Sequence, residues 1–204
     1  MGIIMKTRLI LVRHGETHKN VAKVLHGRKD DASLNGVGKS QAERASKALV
    51  KMGVDIIYSS TELRASQTAE IINRSCKVPL IYLDDFRERD WGIFEGKLWA
   101  EVAALLSKMT ISDRYKFKPD QGESWREVEK RLTRALGKIL SENEDKTVAV
   151  VTHGGTIRTL IPYLLNAPLE ESFKYDPKHL SFTIFDDDGE GFSRICIDDV
   201  SHLQ

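Results

Sequence analysis

Two stretches of the chain share one build, a hydrophobic run that ends in histidine and glycine: Leu9-Ile-Leu-Val-Arg-His-Gly15 and Val148-Ala-Val-Val-Thr-His-Gly154. Imidazole is the side chain that serves near neutral pH as a nucleophile or a proton carrier. A glycine beside it lets the backbone approach a ligand closely. Arg13 adjoins His14, and Arg64 falls in the first turn of a predicted helix. Two guanidinium groups and two imidazoles would make a phosphate pocket, because the guanidinium fork matches phosphoryl oxygens bidentately. Taken singly, a histidine at a strand end is commonly structural and an arginine on a helix is commonly a solvated charge. The repetition of the strand-His-Gly device favours the phosphate reading.

The elements around these residues must bring them together. Residues 7–12 and 147–152 read as buried strands, and 55–58 and 79–83 as two more. A helix over 35–52 is marked by Val37, Ala45, Ala48, Leu49 and Met52 and stopped at Gly53. Ser59, Ser60 and Thr61 offer N-caps for a second helix that runs to about Arg74. From Ser124 a long helix carries the stripe Trp125, Val128, Leu132, Leu136 and Ile139. Residues 156–165 read as a helix with a kink or end at Pro162, and 181–185 with 192–197 as a closing hairpin. Strands alternating with amphipathic helices imply βαβ units and a largely parallel sheet. In open α/β sheets ligands bind beyond the carboxyl ends of the strands, where both His-Gly pairs fall. Residues 84–121 are less regular and read as an insertion over those ends, within a single domain spanning 1–204.

Composition narrows the classes. The chain has 204 residues, 31 Lys plus Arg against 30 Asp plus Glu, a formal charge of +1 and 41% hydrophobic residues. Near-neutrality excludes a global footprint for nucleic acid or an anionic membrane. Cys76 and Cys196 form neither a CxxC nor a metal-ligand cluster, so the reading is no metal, no disulfide scaffold and a cytoplasmic setting. No apolar run approaches the roughly 20 residues of a membrane span. The N-terminus lacks a signal-peptide core, Lys6 breaks the myristoylation pattern after Met1-Gly2, and Met5 is an alternative start. Asn35-Gly-Val-Gly-Lys-Ser40 imitates a P-loop, but the first glycine of that motif would fall at Ser33 and no strand closely precedes it.

Five ordered motifs carry a resemblance. Leu11-Val-Arg-His-Gly-Glu-Thr17 with Asn20, Ser59-Ser-Thr-Glu-Leu-Arg-Ala-Ser-Gln-Thr-Ala69, Arg87-Glu-Arg-Asp-Trp-Gly92 with Glu95-Gly96, Gly122-Glu-Ser124 and Val151-Thr-His-Gly-Gly-Thr-Ile-Arg158 resemble the histidine phosphatase superfamily, also called phosphoglycerate mutase-like. Leu34, Gly38, Gln41 and Ala42 are similar to a further family pattern. The resemblance implies a three-layer α/β/α sandwich with a mainly parallel central sheet and a small cap. It implies that His14 takes the phosphoryl group, that Arg13, Arg64 and His153 hold its oxygens, and that no cofactor is needed. Glu88 matches the family's proton donor, a role for which it must hold its proton near neutrality, as burial and a neighbouring phosphate dianion would favour. Asp85, Asp90 and Glu95 are its rivals by sequence, and an ion pair with Arg87 or Arg89 is its plain alternative. Asn20, Gly27 and Gly154 match substrate-contacting positions. Arg158 is read equally well as part of a structural ion pair.

Two activities fit this pattern, hydrolysis of a small phosphomonoester and mutase transfer to another hydroxyl of a phosphoglycerate, and a non-catalytic phospho-ligand module is the third reading. Gly122 follows Glu88 by only 34 positions. That shortness, with Trp91-Gly-Ile-Phe-Glu-Gly96, favours hydrolysis. The substrate within small phosphorylated metabolites and the oligomeric state stay open. Lys116 and Lys118, with Tyr115 and Phe117, could face a second phosphate or an anionic sugar, and the stretch Arg114-Tyr-Lys-Phe-Lys118 reads more plainly as a solvated basic face.

Overall fold

The computed structural model of the chain describes residues 7–28 and 32–204; the readings at Met1, Gly2, Met5 and Lys6 lie outside the described residues. The strands are β1 (Thr7–Arg13), β2 (Ile56–Ser59), β3 (Leu80–Tyr82), β4 (Thr147–Thr152), β5 (Phe182–Asp187) and β6 (Phe192–Asp199). The helices are α1 (His18–Val21), α2 (Gly36–Lys51), α3 (Leu63–Cys76), α4 (Trp99–Leu106), α5 (Ile111–Lys116), α6 (Trp125–Glu142) and α7 (Gly154–Leu164). The strands form one sheet in the order β3-β2-β4-β1-β5-β6. The first four are mutually parallel, and the β5–β6 hairpin adds two antiparallel strands beside β1.

Successive strand side chains point to opposite faces, and the core divides accordingly. Ile10, Val12, Ile57, Ala149 and Val151 pack under α2 and α3. Leu9, Leu11, Tyr58, Val148 and Val150 pack under α6 and α7. The result is the expected α/β/α sandwich. β1 and β4 are parallel neighbours in register, Arg13 opposite Thr152. The long helices downstream of them, α2 after the single turn α1 and α7 directly after β4, cover opposite faces. Such a divergence opens a crevice at the carboxyl ends of the two strands, directly where His14 and His153 stand.

Local sequence explains most boundaries. Asn35 caps α2 by accepting from the Gly38 amide at 2.8 Å. Ser124 and Glu127 form a capping box on α6, whose stripe is buried as its periodicity predicts. Some expectations need correction. Val37 is 54% exposed, because α2 buries Gly38, Ala42, Ala45, Ser46 and Leu49, a stripe of mostly small side chains. The N-cap of α3 is Glu62, not Ser59, Ser60 or Thr61, and its side chain caps nothing. Helix α7 begins two residues earlier than expected and runs through Pro162 to Leu164. A proline in the last turn removes a single intrahelical bond, and the helix tolerates it there.

The segment 84–121 holds two single 3-10 turns with α4 and α5. Val102, Leu106 and Tyr115 join the core cluster of Trp91, Trp125 and Val128. The Trp99 amide donates to the Lys23 carbonyl at 2.8 Å, tying α4 to the loop after β1. Lys118 pairs with Glu127 at 2.7 Å on the exposed side.

Candidate active site

His14 and His153 follow paired strand residues, so their rings meet with centroids 5.3 Å apart. Nδ1 of His14 lies 2.7 Å from the Gly15 carbonyl. A carbonyl only accepts, so Nδ1 carries the ring proton and Nε2 keeps its lone pair. Burial, reinforced by Arg64 and His153, holds the His14 pKa well below the imidazole range, so the ring is neutral at pH 7. The His179 ring packs 5.4 Å from it and Nδ1 of His179 donates to the His14 carbonyl at 3.0 Å. The turn itself needs glycine. A Cβ on Gly15 would stand 2.6 Å from the Gly38 carbonyl oxygen. The P-loop look-alike is thus a packing site for the His14 turn.

Around Nε2 opens a cavity of about 450 Å³, lined among others by Arg13, His14, Arg64, Glu88, Gly154 and Gly155. Arg13 is half-buried and its Nη1 donates to the Pro177 carbonyl at 2.5 Å. The buried Arg64 pairs with Glu62. His153, fully buried beside His14, is not itself among the lining residues. Its Nε2 stands 2.8 Å from Ser60 Oγ and 3.1 Å from Glu62 Oε2, and its Nδ1 is buried with no hydrogen-bond partner. Burial, with Arg64 next, also holds His153 well below the ordinary imidazole range.

Glu88 enters from the loop after the 3-10 turn Asp84–Phe86. Its two carboxylate oxygens accept from the Arg89 amide at 2.8 Å and the Gly155 amide at 3.1 Å. That second bond uses an N–H at the start of α7, so the side chain seated at this helix terminus is Glu88 itself. Neither Arg87 nor Arg89 pairs with it. Its rivals are engaged elsewhere: Asp85 with Arg134 at 3.2 Å, Asp90 with the Gly92 amide and Glu95 with the Arg28 amide.

Asn20 lines the cavity while its Oδ1 accepts from the Thr17 amide and hydroxyl, at 3.0 and 2.8 Å. The Asn20 amide nitrogen is therefore the group left for a ligand. Gly154 also lines it, and a Cβ there would stand 3.3 Å from the Arg13 guanidinium. Gly27 lies outside the lining. Its lack of a side chain makes room for Glu95, whose carboxylate a Cβ would overlap at 1.7 Å.

Sequence reasoning passed over the residue that ties the site together. Glu62 is buried, and besides Arg64 and His153 it accepts from the Glu88 amide at 3.2 Å and lies 3.6 Å from Arg87 Nε. Burial pushes its carboxyl up to about 7 against the pull of Arg64, with the Glu88 charge pushing the same way as burial. The available signal is its position two residues before Arg64, an acidic side chain beside a predicted phosphate-binding cation. The upper wall, Trp91, Trp99 and Trp125 with Arg158, was also passed over as substrate-facing surface. Among the described residues Arg158 makes no ion pair; its guanidinium lies 4.3 Å from the Trp125 ring centroid. Among the described residues no group of three or more His, Cys, Asp or Glu could hold a metal ion, and no helix is long and apolar enough to cross a membrane.

A neutral nitrogen nucleophile, flanking guanidinium groups and an opposed carboxyl group are the parts of covalent phosphoryl transfer. Comparison with known proteins points the same way. The profile of the histidine phosphatase superfamily (branch 1) matches residues 9–199. The chain is 36% identical over 159 residues, 76% of both chains, to a protein of Bacillus subtilis named uncharacterized phosphatase PhoE. It is 32% identical over 202 residues, 96% of this chain and 86% of the other, to phosphoglycerate mutase-like protein 4 of Arabidopsis thaliana. Among solved structures, a phosphoserine phosphatase of Entamoeba histolytica in complex with 3-phosphoglyceric acid superposes with a TM-score of 0.86 at 28% identity, covering 97% of this chain and all of the other.

Proposed function

The chain belongs to the histidine phosphatase superfamily, branch 1, and on that premise we propose that it hydrolyses a small phosphomonoester through a phosphohistidine at His14. The observation that carries the reading is the Nδ1 bond of His14 to the Gly15 carbonyl at 2.7 Å, which leaves a neutral ring with Nε2 free beside two guanidinium groups.

In the first step Nε2 of His14 attacks phosphorus in line and the bond from phosphorus to the ester oxygen breaks. Glu88 gives that oxygen its proton, so the alcohol leaves neutral. In the second step water attacks phosphorus, the Glu88 carboxylate takes its proton, and the P–N bond breaks to release inorganic phosphate. Arg13 and Arg64 hold the phosphoryl oxygens, a preorganised charge that supplies most of the acceleration because the protein has little other covalent work. A bound phosphate dianion would raise the proton affinity of His153, whose unpartnered Nδ1 then becomes a third donor. The Asn20 amide and the backbone at Gly154 complete the substrate contacts, Gly27 instead making room for Glu95, and residues 84–121 act as the cap over the cavity.

Mixing the protein with radiolabelled phosphoester and quenching in base tests this. Acid-labile label is expected on the wild type and absent from His14→Ala, with 4-nitrophenyl phosphate turned over by the wild type alone. A turning-over enzyme without label would overturn the covalent mechanism. Fast isomerisation of 3-phosphoglycerate with negligible hydrolysis would overturn the hydrolase reading.

A further inference from the structure

Arg89 and Arg158 stack on the tryptophan wall of the cavity while Arg131 bonds the Glu88 carbonyl, and two of these three arginines are tied down. Arg89 stacks on Trp91 and Trp125, and donates from Nε to the Glu123 carbonyl at 2.7 Å and from Nη2 to the Phe117 carbonyl at 2.9 Å. Arg131 pairs with Glu123 at 3.1 Å and donates to the Asp85 and Glu88 carbonyls. Arg158 differs. Its guanidinium meets the faces of Trp125 at 4.3 Å and Phe173 at 5.6 Å, its Nε is buried without a hydrogen-bond partner, and it lines the cavity. The Glu88 oxygens that lie nearby are taken by two backbone amides. Burial pulls the Arg158 pKa down, with Glu88 and Asp176 opposing. Partly buried against ring faces and open to the cavity on its other side, this cation keeps donors that an anion in the cavity can meet.

Position gives the missing partner a place. Gly154 adjoins Arg13 at the phosphate end of the cavity, and Arg158 follows four residues later on the same face of α7. One helical turn advances about 5.4 Å. An anionic group a few bonds from the phosphoester would therefore reach Arg158 while its phosphate sits on Arg13, Arg64 and His14. The carboxylates of Glu88 and Asp176 beside it favour a singly charged group over a second phosphate dianion.

We propose that Arg158 is the recognition cation for a substrate carboxylate, so that the preferred substrates are phosphorylated hydroxy acids rather than phosphorylated neutral alcohols. The assignment rests on the phosphomonoesterase reading of the same cavity. 3-Phosphoglycerate and glycerol 3-phosphate differ only in carrying a carboxylate or a hydroxymethyl group, so the ratio of their kcat/KM values isolates the contact. Wild type is expected to favour the acid by about tenfold or more, and Arg158→Gln to collapse that ratio toward one, with Arg158→Lys between them, as one charge-assisted contact implies. A ratio unmoved by Arg158→Gln would overturn the assignment while leaving hydrolysis intact. A variant that loses selectivity for fructose 1,6-bisphosphate but keeps it for 3-phosphoglycerate would transfer Arg158 to a second phosphate and overturn the carboxylate. Calorimetric binding of 3-phosphoglycerate to His14→Ala and to the double variant His14→Ala/Arg158→Gln reads the contact without turnover. An affinity about tenfold or more weaker in the double variant supports it, and equal affinities refute it even if no ester is hydrolysed.

Discussion

Glu62→Gln separates a carboxylate that positions catalytic groups from one that only fills space. The wild-type side chain accepts from Arg64, from His153 Nε2 at 3.1 Å and from the Glu88 amide at 3.2 Å. Glutamine keeps the volume but turns an NH2 group toward donors, so two of these bonds lose their acceptor. At about 1.5–3 kcal/mol for each charged bond, the loss is roughly 3–6 kcal/mol. Against it stands the burial of the charge, since holding a carboxyl at about 7 makes its ionised form roughly 3 kcal/mol less favourable in the fold than in the unfolded chain. The two nearly cancel, and the variant is expected to lose no more than about 3 kcal/mol of stability in urea titration at pH 8. Catalysis has no such offset. Arg64, His153 and the Glu88 loop lose their common anchor, and a misplacement of about 1 Å lowers kcat about 100-fold. The pH dependence carries the signature. At pH 6, one unit below 7, only about a tenth of wild-type Glu62 is ionised, so the ratio of wild-type to variant kcat should shrink from about 100 at pH 8 to about 10 at pH 6. Steady-state rates with 4-nitrophenyl phosphate across that range provide the assay. A kcat within threefold of wild type, or a ratio that stays constant between pH 6 and 8, would refute the reasoning.

Other consequences can be checked alongside. A Cβ on Gly155 would lie 2.3 Å from Glu88 Oε1 and 2.8 Å from the Trp125 ring, so Gly155→Ala should displace the acid and cut kcat about 100-fold; unchanged kcat would contradict the placement of Glu88. Gly38→Ala drives a Cβ to 2.2 Å from the Glu16 carbonyl oxygen, and overpacking against backbone should lower stability by about 1–3 kcal/mol, read as the urea midpoint. Leu132→Ala in the fully buried stripe of α6 should cost about 2–5 kcal/mol in the same assay. Burial holds His14 and His153 well below the imidazole range and His179 at about 4. These three stay neutral in the fold but take up protons in the unfolded chain below about pH 6.5, whereas Glu62 takes up its proton in the fold between about 4.5 and 7. Three protons against one make stability fall as pH drops from 7 to 5, by up to about 3 kcal/mol per pH unit; a urea midpoint that holds or rises over that range would contradict the burial of these rings.

Much of this protein was legible in one dimension because the signals are local. A hydrophobic run ending in His-Gly specifies a buried strand and an exposed turn wherever it occurs, and the stripe from Trp125 to Ile139 specifies one buried helix face. Near-neutral charge, the two unpaired cysteines and the ordered motifs likewise need no coordinates. What periodicity does not encode is adjacency. Thr147–Thr152 lies next to Thr7–Arg13 across the whole length of the core, and only that pairing puts two imidazoles 5.3 Å apart. Val37 reads as core and faces water because the close approach of Gly38 to the His14 turn decides which side of α2 is buried. Glu62, to which the sequence assigns no role, becomes the shared anchor of Arg64, His153 and the Glu88 loop, because distant segments fold over it. Arg158 reads as half of an ion pair and is left with ring faces, since the acid beside it is already held by amides. The order of the residues determined which chemistry the chain carries; burial, adjacency and the competition for hydrogen-bond partners, which exist only after packing, decided which side chains take part in it.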